Sequence, residues 1–508
     1  MIISLLCSLV GYFAFASPAK AADTGQLVLS VIDRDSGEPA PVRIHLKTAA
    51  GKPVKIPGAI QLGDHGVFED KITLKLPLGH YSFTMEQGPE SLIRSGKFEI
   101  QRYADDANSV DVKLFAKPAD EGWYAGDLDA ARASDLPLLM KAENLKIVAA
   151  TTWENDKSYW TKNKPPAHPI DEHSGHRLID LMAGEDERGG SAIVVTGLRE
   201  PLELPNAKAT TPTITSTATS ARVQTGQVHA VAPFIRELPL LIAAGKLDSI
   251  MLLNRHVLRD GAIDNEAGGK ARNKADLPAP QGNARWSLEI YYKLLEAGIR
   301  IPITAGSGSG HNLNPLGYNR VYAFIDGELT VDKWFDAVRA GRTIVTNGPI
   351  LRCKVEDEFP GHVFASGNKQ PIELETSLTM STRDKVDYLE IVKNGITIYD
   401  ARLDKFQKDG GQLPPVLFRD SGWFLIRAVT VEDKTLRYAT TAPYYVEFDE
   451  QPRISKKAVQ FFLDWVEHEA GQFETLGDRV TADQRSEMEQ WRKARTFWKD
   501  RLAKANVE

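Results

Sequence analysis

The chain has 508 residues, with 62 Lys and Arg against 68 Asp and Glu and a formal net charge of −6. Its basic residues are scattered, not banked in one run, which argues against a nucleic-acid footprint. A hydrophobic fraction of 42% is ordinary for a globular protein, and the length exceeds what one core serves, so roughly two to four structural units are expected.

Residues Ile2 to Ala16 form an apolar run too short to span a bilayer, and Ala19-Lys20-Ala21 before Ala22 reads as a signal-peptidase site. Residues 1–21 are therefore expected to be a signal peptide, with export to a periplasmic or extracellular location. Cys7 lies inside the apolar run behind Leu5-Leu6, which favours a cleaved signal over a lipid anchor. Cys353 would then be alone in the mature chain, excluding an intramolecular disulfide, and its strand-like context marks it as a small buried hydrophobe. No later segment is long and apolar enough for a transmembrane helix, so no stable membrane insertion is expected.

Over residues 22–117 short apolar and polar alternations, such as Leu27-Val28-Leu29-Ser30-Val31 and Val42-Arg43-Ile44-His45-Leu46, are separated by turn residues. They predict an N-terminal antiparallel β-sandwich. Residues 118–349 change to strands alternating with helices, with strands at Lys146–Ala150, Ser191–Val195, Ser249–Leu253 and Ile301–Thr304. Helices are predicted over Leu136–Glu143, Phe234–Ala244, Ser287–Ala297 and Val331–Ala340, giving an α/β unit with a parallel sheet. Ala207–Thr225, rich in Thr, Ser and Ala without an apolar period, reads as a surface loop. Alternation returns over 350–449, with Asn394-Gly395 as a hairpin turn, predicting a second sandwich. Residues 450–508 read as a helical tail of two segments, Lys456–Ala470 and Ala482–Ala503.

The most informative stretch is Gly122 to Arg132, containing Asp127-Leu128-Asp129-Ala130-Ala131. Together with Gly184-Glu185-Asp186-Glu187-Arg188-Gly189-Gly190, Asn283 to Tyr292, Pro315 to Tyr322 and Thr346-Asn347-Gly348-Pro349, it resembles the CehA/McbA-like branch of the secreted PHP-type (polymerase and histidinol phosphatase) metallohydrolases. The resemblance implies a distorted TIM-like barrel of the PHP type between the two sandwiches, with its chemistry at the C-terminal ends of the strands. In that family the first barrel strand ends in an Asp-Leu-His-x-His type motif. Asp129 and Ala131 stand at the two histidine positions, so the first half of the metal site is at best half present, because a methyl group cannot ligate.

The same resemblance gives the candidate site. Asp129, His229 and His256 are candidate ligands of a divalent metal, zinc or manganese, and Asp127, Glu187, Arg285 and His311 are candidate catalytic residues. His256 follows the strand Ser249–Leu253 and matches a family histidine. His229 and His311 stand near places where the family carries acidic residues. Arg285 and Arg320 can each hold a carboxylate or phosphoryl oxygen bidentately or pair with a buried acid. His168, His173 and His176 form the densest histidine cluster but match no family ligand, and they read as a surface loop. A serine hydrolase is disfavoured, since Gly306-Ser307-Gly308-Ser309-Gly310 puts glycine at its centre.

Two functions follow as expectations. The first is a metal-dependent hydrolase of ester, carbamate or phosphoester bonds with an altered site. The second is a catalytically inactive relative that binds a small molecule or glycan.

Overall fold

The computed structural model describes residues 23–102, 105–132, 134–367, 370–408, 410–474 and 482–508. The expected signal peptide and Cys7 lie outside the described residues. Among the described residues no helix is long and apolar enough to cross a membrane.

The N-terminal alternation folds as it reads. Leu27, Leu29 and Val31 on Thr24–Asp33 point inward, as do Val42, Ile44 and Leu46 on Val42–Thr48. They fill the space between a three-stranded sheet and a five-stranded one. One pairing departs from the antiparallel expectation, because Thr24–Asp33 runs parallel to Asp105–Val112.

The central unit is not the helix-flanked TIM-like barrel that the family resemblance implies. Strand outweighs helix, 38% against 21%, and the sheets do not close. Seven strands, from Lys157–Ser158 through Gly184–Arg188 and Ser249–Leu253 to Ile303–Ala305, form one open sheet. Trp123–Ala130 belongs to a different sheet, of twelve strands. Closure fails at the last strand of the seven. After Ile303–Ala305 the chain loops away, and its link to the first central strand is the isolated bridge between Ala130 and Ser309. The sheet is not purely parallel either. Gly189 and Gly190, at φ 57° and 81°, turn Gly184–Arg188 back onto Ser191–Thr196 as an antiparallel hairpin.

The twelve-stranded sheet also crosses the expected boundary at residue 350. Trp123–Ala130 pairs with Arg320–Phe324, which pairs with Thr343–Thr346, which pairs in turn with Tyr438–Thr441 of the second sandwich. Behind it, Trp334 of the helix Val331–Arg339 lies flat on Gly126, where an added Cβ would come within 2.5 Å of the indole. Ala207–Thr225 is not all loop: Ile214–Val223 is a helix whose Thr215, Thr217, Ala218 and Ala221 are buried. The C-terminal helices Lys456–Glu474 and Ala482–Ala503 are part of the central core. Trp465, Trp491 and Trp498 are fully buried, and the Trp498 indole N–H donates to Pro239 O at 3.1 Å.

Candidate functional site

The elements that supply the site are strand ends. Asp127 and Asp129 close Trp123–Ala130. Glu185 and Glu187 stand at alternate positions of Gly184–Arg188 and so share a face, and Arg255 and His256 follow Ser249–Leu253. His311 lies in the loop after Ile303–Ala305.

At the centre is the guanidinium of Arg255. Its Nε donates to Asp129 Oδ2 at 2.8 Å and one terminal nitrogen donates to Asp129 Oδ1 at 2.7 Å, a bidentate pair. It also donates to Glu185 Oε2 at 2.9 Å, lies 2.8 Å from Glu185 Oε1, and reaches Glu187 Oε2 at 3.3 Å. The Asp129 and Glu185 side chains are 0% and 1% exposed, and that of Arg255 is 9% exposed. Burial opposes the charge on Arg255, but the two carboxylates outweigh it and hold its pKa well above the ordinary value.

His311 completes the cluster, with Nε2 3.1 Å from Glu185 Oε2. Burial works against a charged ring, yet the Glu185 carboxylate outweighs it and raises the His311 pKa. Burial would likewise raise Glu185, but Arg255 and His311 bring it down to about 2. Glu187 is half exposed, and burial together with the Glu185 charge raises its pKa.

Asp127 does not face this cluster as a reagent. All its acceptor capacity is spent on backbone and hydroxyl donors: Asp129 N–H, Ser307 N–H, Ser307 Oγ–H and Gly317 N–H, at 2.5–3.0 Å. Burial lifts its pKa to about 6 against those bonds. It is the anchor that holds the loop Gly306–Gly317 against the strand end. Gly306 permits the approach, because a Cβ there would fall 2.2 Å from that of Asp129.

The remaining predicted residues separate. His229 is correctly placed on a strand, Gln227–Ala230, but is not brought to the cluster. Its Nε2 pairs with Thr196 Oγ1 at 3.0 Å, its Nδ1 with Ser249 Oγ at 2.8 Å, and its ring stacks on Phe335. With both nitrogens engaged it is a core histidine. Arg285 is exposed, bonded to Gln281 on its own helix, and lines a different groove with Asp387 and Glu390. Arg320 is buried against Glu90. His173 and His176 pair with Asp171 and Glu172 on an edge hairpin, away from the cluster.

His256 lines a cavity of about 190 Å³ beside Arg255, with Glu187, Val231, Ala232, Phe234 and Ile235. Its ring meets Phe234 edge-on at 5.0 Å, and its Nδ1 is buried with no hydrogen-bond partner. Burial, then the Arg255 charge, depress its pKa to about 4, so the ring is neutral at pH 7.

Sequence reasoning missed Arg255, the residue that organises the site. The signal available was its position, directly before His256 at the end of an apolar strand in a unit whose other strand ends carry several carboxylates. Asp129, Glu185 and His311 do offer ligand atoms within 4.8 Å of one another. They do not fit a resident divalent ion while Arg255 is in place, because both Asp129 oxygens and both Glu185 oxygens already contact the guanidinium.

No family model matches the chain, and no curated protein matches it. A solved structure, the Bacillus anthracis TIE protein, is similar over 22% of this chain and 20% of its own length, at 18% identity and a TM-score of 0.15. The match spans about a fifth of that chain and carries no argument about fold or activity.

The buried histidines give a pH prediction. His229 is depressed from 6.5 to about 4, chiefly by burial. The unfolded chain therefore binds the proton first, and the neutral ring's contribution is full above pH ~6.5 and lost as pH falls through about 4. At ~1.4 kcal/mol per unit, this is about 3 kcal/mol. His229→Asn is expected to be less stable than the wild type at pH 7, with the gap closing or reversing by about that amount at pH 4. Urea unfolding of both proteins at the two pH values checks it. Parallel pH curves would refute the assignment.

Proposed function

We propose that this chain is an exported, noncatalytic binding protein descended from the CehA/McbA-like metallohydrolases. Its ligand is a small molecule with an apolar body and a protonated amine. The observation that carries the reading is the Arg255 guanidinium, which occupies the centre of the carboxylate cluster and leaves no coordination position from which a metal-bound water can act.

The ligand class follows from charge and shape. Asp129, Glu185 and Glu187 outnumber Arg255 and His311 by one charge when His311 is protonated, and Glu187 is the member of the cluster's carboxylates that lines the cavity and is half exposed. The other charged lining residues are paired, Glu266 with Arg272 and Arg188 with Asp186. Val231, Ala232, Phe234 and Ile235 supply an apolar wall, and neutral His256 offers an unsatisfied nitrogen beside it. A charged amine paired with Glu187 and an apolar body on Phe234 use both features.

The test combines two measurements on the mature protein. Isothermal titration with benzylamine is expected to show binding that is lost in Glu187→Gln. Plasma mass spectrometry after incubation with zinc or manganese is expected to find less than stoichiometric metal, with no turnover of 4-nitrophenyl acetate or 4-nitrophenyl phosphate. Stoichiometric metal together with turnover abolished by Asp129→Ala would overturn the reading in favour of a metal-dependent hydrolase.

A further inference from the structure

A second cavity, of about 480 Å³, lies where the central unit meets the strands after residue 350, and shares no lining residue with the cavity beside Arg255. Its wall is the antiparallel pair Ile350–Val355 and Thr376–Ser381. Arg352 faces Thr379 and Lys354 faces Ser377 across that pair, so all four side chains project from one face, while Cys353 between them turns into the core. The floor is aromatic. Phe324 and Phe359 stack at 3.7 Å between centroids, and Trp123 packs edge-on against both.

Two cations meet this floor with one acid between them. The Lys354 ammonium stands 4.6 Å over the Phe359 ring and has no carboxylate partner among the described residues. The Arg352 side chain is 9% exposed. Its Nε lies 2.8 Å from Glu121 Oε2, one terminal nitrogen donates to Ser381 Oγ at 2.8 Å, and the other is buried without a hydrogen-bond partner. Glu121 is half exposed, so the single acid present is weakly held by its surroundings. A buried guanidinium nitrogen without an acceptor is costly, and a ligand carboxylate is the group that fits it geometrically.

We propose that this groove is a binding site for an organic carboxylate that carries a flat apolar face. The carboxylate meets Arg352 and Lys354, the apolar face lies on Phe359 and Phe324, and the Ser377 and Thr379 hydroxyls bond the remaining polar groups. The volume lies in the range of small-ligand sites, large enough for a sugar acid or an aromatic acid. Both present the same chemistry, a carboxylate beside a face of C–H or ring carbon.

Isothermal titration of the full mature chain with digalacturonate, and separately with 4-hydroxybenzoate, distinguishes the two sources. One of them is expected to bind, with affinity reduced about tenfold or more in Lys354→Gln and in Arg352→Gln and increased in Glu121→Gln, which removes the competing carboxylate. Lys354 has no ion pair among the described residues, so Lys354→Gln keeps the fold and isolates the binding effect even if Arg352→Gln loosens the strand pair. Glu187→Gln, in the other cavity, is expected to leave this binding unchanged. No heat from either acid at millimolar concentration, or an affinity indifferent to Lys354→Gln, would overturn the proposal.

Discussion

Arg255→Ala is expected to destabilise the protein by about 3–5 kcal/mol and to make what stability remains depend on a divalent cation. The substitution strips from Asp129 and Glu185, which are 0% and 1% exposed, the one arginine that contacts them among the described residues, and leaves two buried carboxylates with only His311 beside Glu185. Breaking one partner of a buried pair costs far more than the intact pair contributes, because the remaining charge stays desolvated. The same loss frees ligand atoms on Asp129, Glu185 and His311 that already lie within 4.8 Å of one another. Zinc or manganese at 100 times its dissociation constant would return about 2.7 kcal/mol. The wild type, with its guanidinium in place, is expected to keep the same thermal midpoint with and without metal. Arg255→Lys separates charge from shape: an ammonium is a point charge and cannot bridge both Asp129 oxygens while reaching Glu185, so an intermediate loss is expected. Thermal unfolding of the three proteins with zinc, with manganese and with a chelator is the measurement. A metal response in the wild type equal to that of Arg255→Ala would show that the guanidinium does not hold the cation's place.

That cluster was half legible in the sequence. Asp129, Glu187, His256 and His311 do gather at strand ends on one side of the central unit, because strand–helix alternation is a local pattern and strand ends are where such loops converge. What unites or separates them depends on long-range pairing, which periodicity does not carry. His229 and His256 both follow apolar strand residues. Yet the first turns inward to Thr196 and Ser249 and the second lines a cavity. The N-terminal strands were legible for the converse reason: burial every second residue, as at Leu27, Leu29 and Val31, is written locally. So is the turn at Asn394-Gly395, whose φ values of 49° and 77° suit that pair. Barrel closure was not legible. It is decided by Thr343–Thr346 choosing Tyr438–Thr441 as its neighbour, about ninety residues away, and by the loop that leaves Ala130 and Ser309 as an isolated bridge. The helix Ile214–Val223 was missed because, apart from Ile214, its buried face is built from Thr and Ala. Those small side chains fit a helix close to the sheet but give no apolar stripe.

Arg320→Met is expected to lose about 3–5 kcal/mol and, though it touches no residue of the Arg255 cluster, to weaken ligand binding there. Arg320 is 1% exposed at the junction of the N-terminal sandwich and the central unit. It pairs with Glu90 at 3.2 Å, donates to Glu143 O at 3.0 Å, and donates from Nε to Gly317 O at 2.7 Å. Glu90 also accepts from the Tyr322 hydroxyl, so removing the guanidinium leaves a carboxylate only 3% exposed with one neutral donor. The link to the cluster runs through Gly317. Its carbonyl is held by Arg320 and its N–H donates to Asp127 at 2.7 Å, and Asp127 in turn fixes Ser307 and the backbone N–H of Asp129. Loosening Gly317 therefore reaches the residue that grips Arg255 without any contact between Arg320 and the ligand. Glu90→Gln on top of Arg320→Met removes the stranded charge and is expected to recover much of the stability, a coupling of about 1–3 kcal/mol. It restores no bond to Gly317, so binding of benzylamine is expected to stay weakened while the unfolding midpoint rises. Recovery of both together would mean that the junction acts on the site through global stability alone, and the chain of bonds from Arg320 to Asp129 would then carry no positioning role.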